Sequence, residues 1–147
     1  MKKAALIILF IINAGISKSQ NIEEKQAIAM LKTFYTAYMS EFSKDDVAGL
    51  ERTLAQLRQT YCTAKCEKQY KRLVAETDSD PIIKAQDSDA KLAKSIIITR
   101  NLKKPNQYTV SYSYEVYKKG GKLGKEIVTI NLLLIKENGH YKINHLL

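Results

Sequence analysis

A chain of 147 residues with 24 Lys and Arg against 15 Asp and Glu carries a net charge of +9. That is one domain's worth of chain, with a general preference for acidic partners. Two Cys with no neighbouring His fall short of a four-ligand zinc site, and Tyr61-Cys62-Thr63-Ala64-Lys65-Cys66 has neither thiol-oxidoreductase nor haem-attachment spacing. The lysines are spread along the chain, which reads first as a solvated surface.

Met1-Lys2-Lys3 is a short basic start, Ala4 to Ile12 is an unbroken apolar run, and Ser17 and Ser19 stand at −3 and −1 of a cut before Gln20. This is the pattern of a cleavable signal peptide over residues 1–19. The run is too short for a mature membrane anchor, which needs about 20 apolar residues, and no Cys at the cut offers lipid attachment. The expected address is the periplasm or the exterior, away from ATP and nicotinamide pools. Removal of residues 1–19 leaves a single domain, 20–147, with Lys2, Lys3 and Lys18 gone and a net charge of +6.

Asn21 with Glu24 has capping-box spacing for a first helix. Ile28, Leu31, Tyr35, Tyr38 and Phe42 follow on one helical face, widened by Phe34 and Met39. Ser43 is placed to cap a second helix, with Asp45 and Asp46 in its first turn and a stripe of Val47, Leu50, Leu54, Leu57 and Tyr61. Cys62 and Cys66 are expected to pair in an oxidising compartment if Thr63-Ala64-Lys65 forms a turn or a distorted helix start. A regular helix holds i and i+4 too far apart. The alternative is two reduced, buried thiols. A third helix runs from about Ala64 to Ala75.

From Glu76 to Asp89 acids, Pro81 and two Ser make a loop, with Ile82 and Ile83 pinned to the core. After Lys91 the period changes to two. Ser95–Thr99 is a β-branched strand. Tyr108, Val110, Tyr112, Tyr114 and Val116 alternate with polar neighbours as a half-buried second strand. Ile127–Ile135 is a third, and Asn138-Gly139 marks a hairpin into a last strand through Tyr141 and Ile143. Helices first and antiparallel strands second predict an α+β fold, with helices packed on a curved sheet of three or four strands.

Tyr61-Cys62-Thr63, Asp80-Pro81-Ile82-Ile83-Lys84-Ala85-Gln86-Asp87 and Lys136-Glu137-Asn138-Gly139-His140-Tyr141-Lys142-Ile143 together resemble an exported bacterial family, domain of unknown function 3828. The resemblance covers residues 28 to 146, and the family usually has Trp where this chain has Tyr141. It implies a cone-like fold of the nuclear-transport-factor-2-like (cystatin-like) kind and an exported address. It implies no activity.

The best candidate site combines the loop with the tyrosines: Tyr35, Tyr61, Asp80, Gln86, Asp87 and Tyr112 would line a polar-tipped apolar pocket. Asp80 and Asp87 read equally as caps of turns, and the tyrosines as ordinary core. His140 and His145, an odd offset apart on a strand, are expected on opposite faces. No catalytic set, cofactor or metal site emerges, and nucleic acid is not expected because Arg100–Lys104 and the lysines from Lys118 to Lys125 fall at opposite ends of the second strand. The chain therefore reads as an exported binding module for a small ligand or protein partner. Alternatives are an immunity protein against an antibacterial toxin and a small isomerase or hydrolase with Asp80, Asp87 or a His in the cone. Pairing of edge strands leaves a homodimer open.

Overall fold

The computed structural model describes residues 3–44, 47–117 and 121–147, with side chains from residue 21 onward except that of Val47. The side chains of residues 1–20, where the sequence suggests a signal peptide, Asp45 and Asp46, and Lys118, Lys119 and Gly120 lie outside the described residues. The elements in chain order are α1 (Lys3–Glu41), α2 (Val47–Tyr61), α3 (Ala64–Thr77), α4 (Ala90–Ala93), β1 (Ile97–Arg100), β2 (Gln107–Tyr117), β3 (Leu123–Glu137) and β4 (His140–Leu146). The fold is α+β: helices pack on one face of a four-stranded antiparallel meander ordered β1-β2-β3-β4.

The apolar stripe of α1 supplies the centre of the core. Leu31, Phe34, Tyr35, Tyr38 and Met39 are wholly buried there against Val110, Ile130, Leu132, Leu134 and Ile143 of the sheet. Each large side chain so buried contributes roughly 1.5–3 kcal/mol. Asn21 does not cap this helix, because the chain is already helical on reaching it. Glu24 instead accepts an ion-paired hydrogen bond from Arg100 of β1 at 3.2 Å, and Glu23 one from Lys136 of β3 at 2.7 Å. These pairs tie the start of the described helix surface to the sheet.

Ser43 was placed by the sequence before α2, yet its hydroxyl accepts from the Ala90 N–H at 2.8 Å and so serves α4. Thr63 caps α3, accepting from the Cys66 N–H at 3.2 Å while donating to Asn144 at 3.1 Å. Asp78, in the left-handed region at φ 51°, ends α3 two residues later than expected. Along the outer edge of β4, the Thr63 N–H bonds the Ile143 carbonyl at 2.9 Å. The Gln69 amide holds both the N–H and the C=O of Leu146, at 2.9 and 2.7 Å. α3 thereby covers an edge that would otherwise be open.

On β2 the alternation holds for Tyr108, Val110 and Tyr112, all buried, and then relaxes at Tyr114 and Val116. The expected core face is shorter than the strand because β2 and β3 run on together beyond the helical layer. β1 pairs with β2 only at residues 108–111, and β4 with β3 only from Leu132 onward. A register shift at Leu133/Leu134 leaves Asn144 as an extra residue on β4. This bulge inverts the alternation between the two histidines, so His140, opposite Glu137, and His145, opposite Leu133, share the outer face. Four positions of β3 separate them, about 13 Å at strand rise.

Candidate functional site

The loop after α3 is held rigid by a buried polar network. Asp80 Oδ1 accepts from the Ile82 N–H at 2.7 Å, and its Oδ2 accepts from Tyr38 at 2.7 Å and from Tyr70 at 3.4 Å. Its own N–H bonds the Ala85 carbonyl at 2.9 Å, and Lys84, at φ 52°, turns the chain back. Pro81 holds Asp80 extended, as the residue before proline should be, and Ile82 and Ile83 enter the core.

Behind Asp80 lies Arg58, 2% exposed. It donates to Tyr38 at 3.0 Å, to Glu67 at 3.1 Å and to Glu51 at 2.7 Å, and its guanidinium lies 3.8 Å from the centre of the Tyr70 ring. The buried cation is thus paired and hydrogen-bonded, as burial demands. Desolvation raises the Asp80 carboxyl above its ordinary value, against the hydrogen bonds from Tyr38 and Ile82 and the Arg58 charge, which lower it. Burial and the Asp80 charge push Tyr70 up to about 12. Sequence reasoning missed Arg58. The signal was available: it stands four residues after Leu54 and next to Leu57, on the apolar side of α2, where an unpaired Arg would not be tolerated.

Past this staple the chain opens a pocket of about 290 Å³ between the loop, α4 and the inner face of the sheet, lined by Lys84, Ala85, Asp87, Leu92, Tyr112, Tyr114 and Val128. Tyr112 is fixed from below, its hydroxyl donating to the Ile83 carbonyl at 2.8 Å, so its ring is presented rather than its oxygen. Burial pushes this phenol up to about 12. Tyr114 donates to Glu126 at 2.9 Å, and the Lys84 ammonium donates to the Thr129 carbonyl at 3.0 Å. Asp87 is exposed at the rim. Asp89 accepts from the Lys91 and Leu92 N–H groups at 2.6 and 2.8 Å and caps α4, which sets Leu92 in the wall. An adjoining groove of about 490 Å³ shares Leu92 and Tyr114 and continues over the edge of β2 past Ser95, Ser113, Glu115 and Lys125.

Of the residues expected to share a site, the structure brings Asp87 and Tyr112 together. Gln86 is exposed beside Asp87 but is not in the lining. Asp80 is not in the lining, and its carboxylate is engaged by Tyr38, Tyr70 and the Ile82 N–H. Tyr61 belongs to a separate groove of about 440 Å³ with Met30, His140 and Tyr141. Tyr35 is wholly buried, its hydroxyl without a hydrogen-bond partner among the described residues. Lys84 and Val128 were not anticipated; Lys84 and Tyr114 have their polar tips engaged by the sheet. The expected Cys62–Cys66 bridge is not formed. Both are free and buried, because Cys62 is held extended beside Ile143 while Cys66 is already in the first turn of a regular α3. The neighbouring Cys66 thiol and burial together push the Cys62 thiol up. Among the described residues no cluster of three metal-ligating side chains occurs, and no helix is long and apolar enough to cross a membrane.

No family model and no curated protein matches the chain. Among solved structures, a crystal structure of a protein of unknown function from Bacteroides thetaiotaomicron is similar to it. The match has a TM-score of 0.76 and 27% sequence identity, and covers 92% of this chain and 98% of that one.

Proposed function

We propose that the protein is an exported binding module that takes a small, partly apolar ligand in the pocket between Asp87 and Tyr112. The observation that supports this reading is the pocket's construction. A ring and two aliphatic side chains, Tyr112, Leu92 and Val128, form an apolar floor and wall, and the carboxylate of Asp87 stands at the rim without a partner among the described residues while the neighbouring polar tips are already satisfied. Such a site offers surface for an apolar body and one charged anchor, the usual composition of a small-molecule site. Its volume, about 290 Å³, suits a compact ligand.

An enzyme in this pocket would have to rely on Asp87, since the oxygens of Asp80 are occupied by Tyr38, Tyr70 and Ile82. Asp87 is exposed and meets no tyrosine hydroxyl, so the binding reading is favoured over the isomerase or hydrolase reading. The export address and the resemblance to the exported family of unknown function belong to the same proposal and rest on residues 1–19 and on the three quoted segments.

The test is native mass spectrometry of the processed protein, purified without denaturation from cells that export it. A bound small molecule that is lost in Asp87→Asn supports the proposal. Co-purification unaffected by that change places the ligand elsewhere.

A further inference from the structure

The part of β3 beyond the helical layer has an open edge. The carbonyl of Asn131 accepts from the Leu147 N–H at 2.8 Å and that of Thr129 from Lys84 at 3.0 Å, whereas the Leu134 N–H points the other way, to Asn106 near β2. Odd-numbered residues of β3 therefore direct their N–H and C=O groups away from β2. β4 covers this edge down to Asn131, and Lys84 closes it at Thr129. Below that point Leu123, Lys125 and Ile127 present main-chain donors and acceptors with no partner among the described residues. An unpaired run of this kind is a template for one more strand, and natural sheets blunt or cover such edges unless something pairs there.

The side chains around the edge select the kind of strand. Lys84, Lys122 and Lys125 are exposed beside it and outnumber the nearby carboxylates, Glu126, which is engaged by Tyr114, and Glu115, which stands opposite Lys125 on β2. On the outer face Ile127 and Leu123 are 72% and 56% exposed, offering apolar contact to alternate residues of an incoming strand. A second copy of this chain would bring its own lysines against these. An acidic segment would meet them with opposite charge.

We infer that the β3 edge from Leu123 to Ile127 is a docking site for an extended, acidic segment of a partner protein, which adds to the sheet as a fifth strand beside β3. Main-chain pairing with Lys125 and Ile127 supplies the registration, and Lys84, Lys122 and Lys125 supply the charge selection. The edge shares Lys84 with the pocket lining, but main-chain pairing at Lys125 and Ile127 does not depend on the pocket being a binding site.

The test uses the processed protein and two capped seven-residue probes, one alternating Val and Glu, the other Val and Lys. Binding is followed by amide exchange and chemical shift at Lys125 and Ile127. The Glu probe is expected to bind at least tenfold more tightly than the Lys probe and to slow exchange at both amides. Lys125→Pro removes an outward N–H without touching the ladder to β2 and should reduce Glu-probe binding at least tenfold. Lys125→Thr keeps the N–H and should lose only part of it. Equal binding of the two probes, or unslowed exchange at both amides, overturns the inference, and the exchange result decides it even if the proline variant fails to fold. A free protein that is already dimeric with these amides protected overturns it too, since a second copy would then hold the edge.

Discussion

Tyr38 of α1 donates a 2.7 Å hydrogen bond to Asp80, forty-two residues further along the chain, while accepting one from Arg58 at 3.0 Å. One phenol thus connects the first helix, the second helix and the loop that carries the pocket. The placement of Asp87 and Lys84 follows from that connection, because the loop between them and Asp80 is too short to wander.

Tyr38→Phe removes both bonds and leaves Asp80 Oδ2 with the longer contact to Tyr70. A buried acceptor so weakened costs about 1–3 kcal/mol. Tyr70→Phe loses only the 3.4 Å bond and keeps its ring under Arg58, so its cost is expected below about 1 kcal/mol. Urea unfolding of the two variants should rank them in that order.

The acidity of Asp80 gives a pH signature. Its folded carboxyl lies above the ordinary value of 3.8, burial being the largest cause. The folded state then holds this proton more tightly than the unfolded chain. The associated stability is fully present below pH 3.8 and is lost as pH rises through the raised value. Relative to Asp80→Asn, the wild type should therefore lose urea midpoint with rising pH across that window. A wild-type advantage that grows with pH would reverse the sign and contradict the burial argument.

Thr63 serves two neighbours, capping α3 through Cys66 and reaching Asn144 at the bulge of β4. Thr63→Ala should cost about 1 kcal/mol for the cap, with an additional loosening at the end of β4 that appears as faster amide exchange at Leu146. Exchange at Leu146 left unchanged would separate the cap from the strand.

Cys62 and Cys66 stand free and buried. Thiol labelling without reductant should be slow in the folded protein and reach two equivalents on denaturation. No labelling after denaturation would mean that the protein closes a bridge which α3 must distort to accommodate.

The helical stripes, the turn at Asn138-Gly139 and the alternation of β2 were legible because a single period governs each of them. Leu31, Tyr35 and Tyr38 are buried where helical spacing put them. What sequence patterns could not convey was where one layer ends relative to another. Tyr114 and Val116 continue the alternation of Tyr112, but they lie at the margin of the helical layer and are only half-buried. Long-range partners were equally hidden: the spacing of Arg58 from Leu54 puts it on the apolar side of α2 but does not say that Tyr38, Tyr70 and Glu67 will surround it, and Ser43 reads as the cap of the next helix until Ala90 arrives. Of the site, Asp87 and Tyr112 were legible as a free loop acid and an inward strand aromatic. Tyr35, Tyr61 and Asp80 have equally suitable chemistry and lie elsewhere, since residue type does not say which cavity a core side chain faces.

The most direct test of the pocket is to fill it. Val128→Trp places a large ring among Tyr112, Leu92 and Asp87 while leaving the backbone pairing of β3 with β2 untouched. Native mass spectrometry of the wild type and this variant, both exported and processed and both verified as folded by their amide spectra, should show a bound small molecule in the wild type and none in the variant. The same molecule retained in Val128→Trp, or no bound molecule in either protein, would contradict the assignment of this pocket as the binding site.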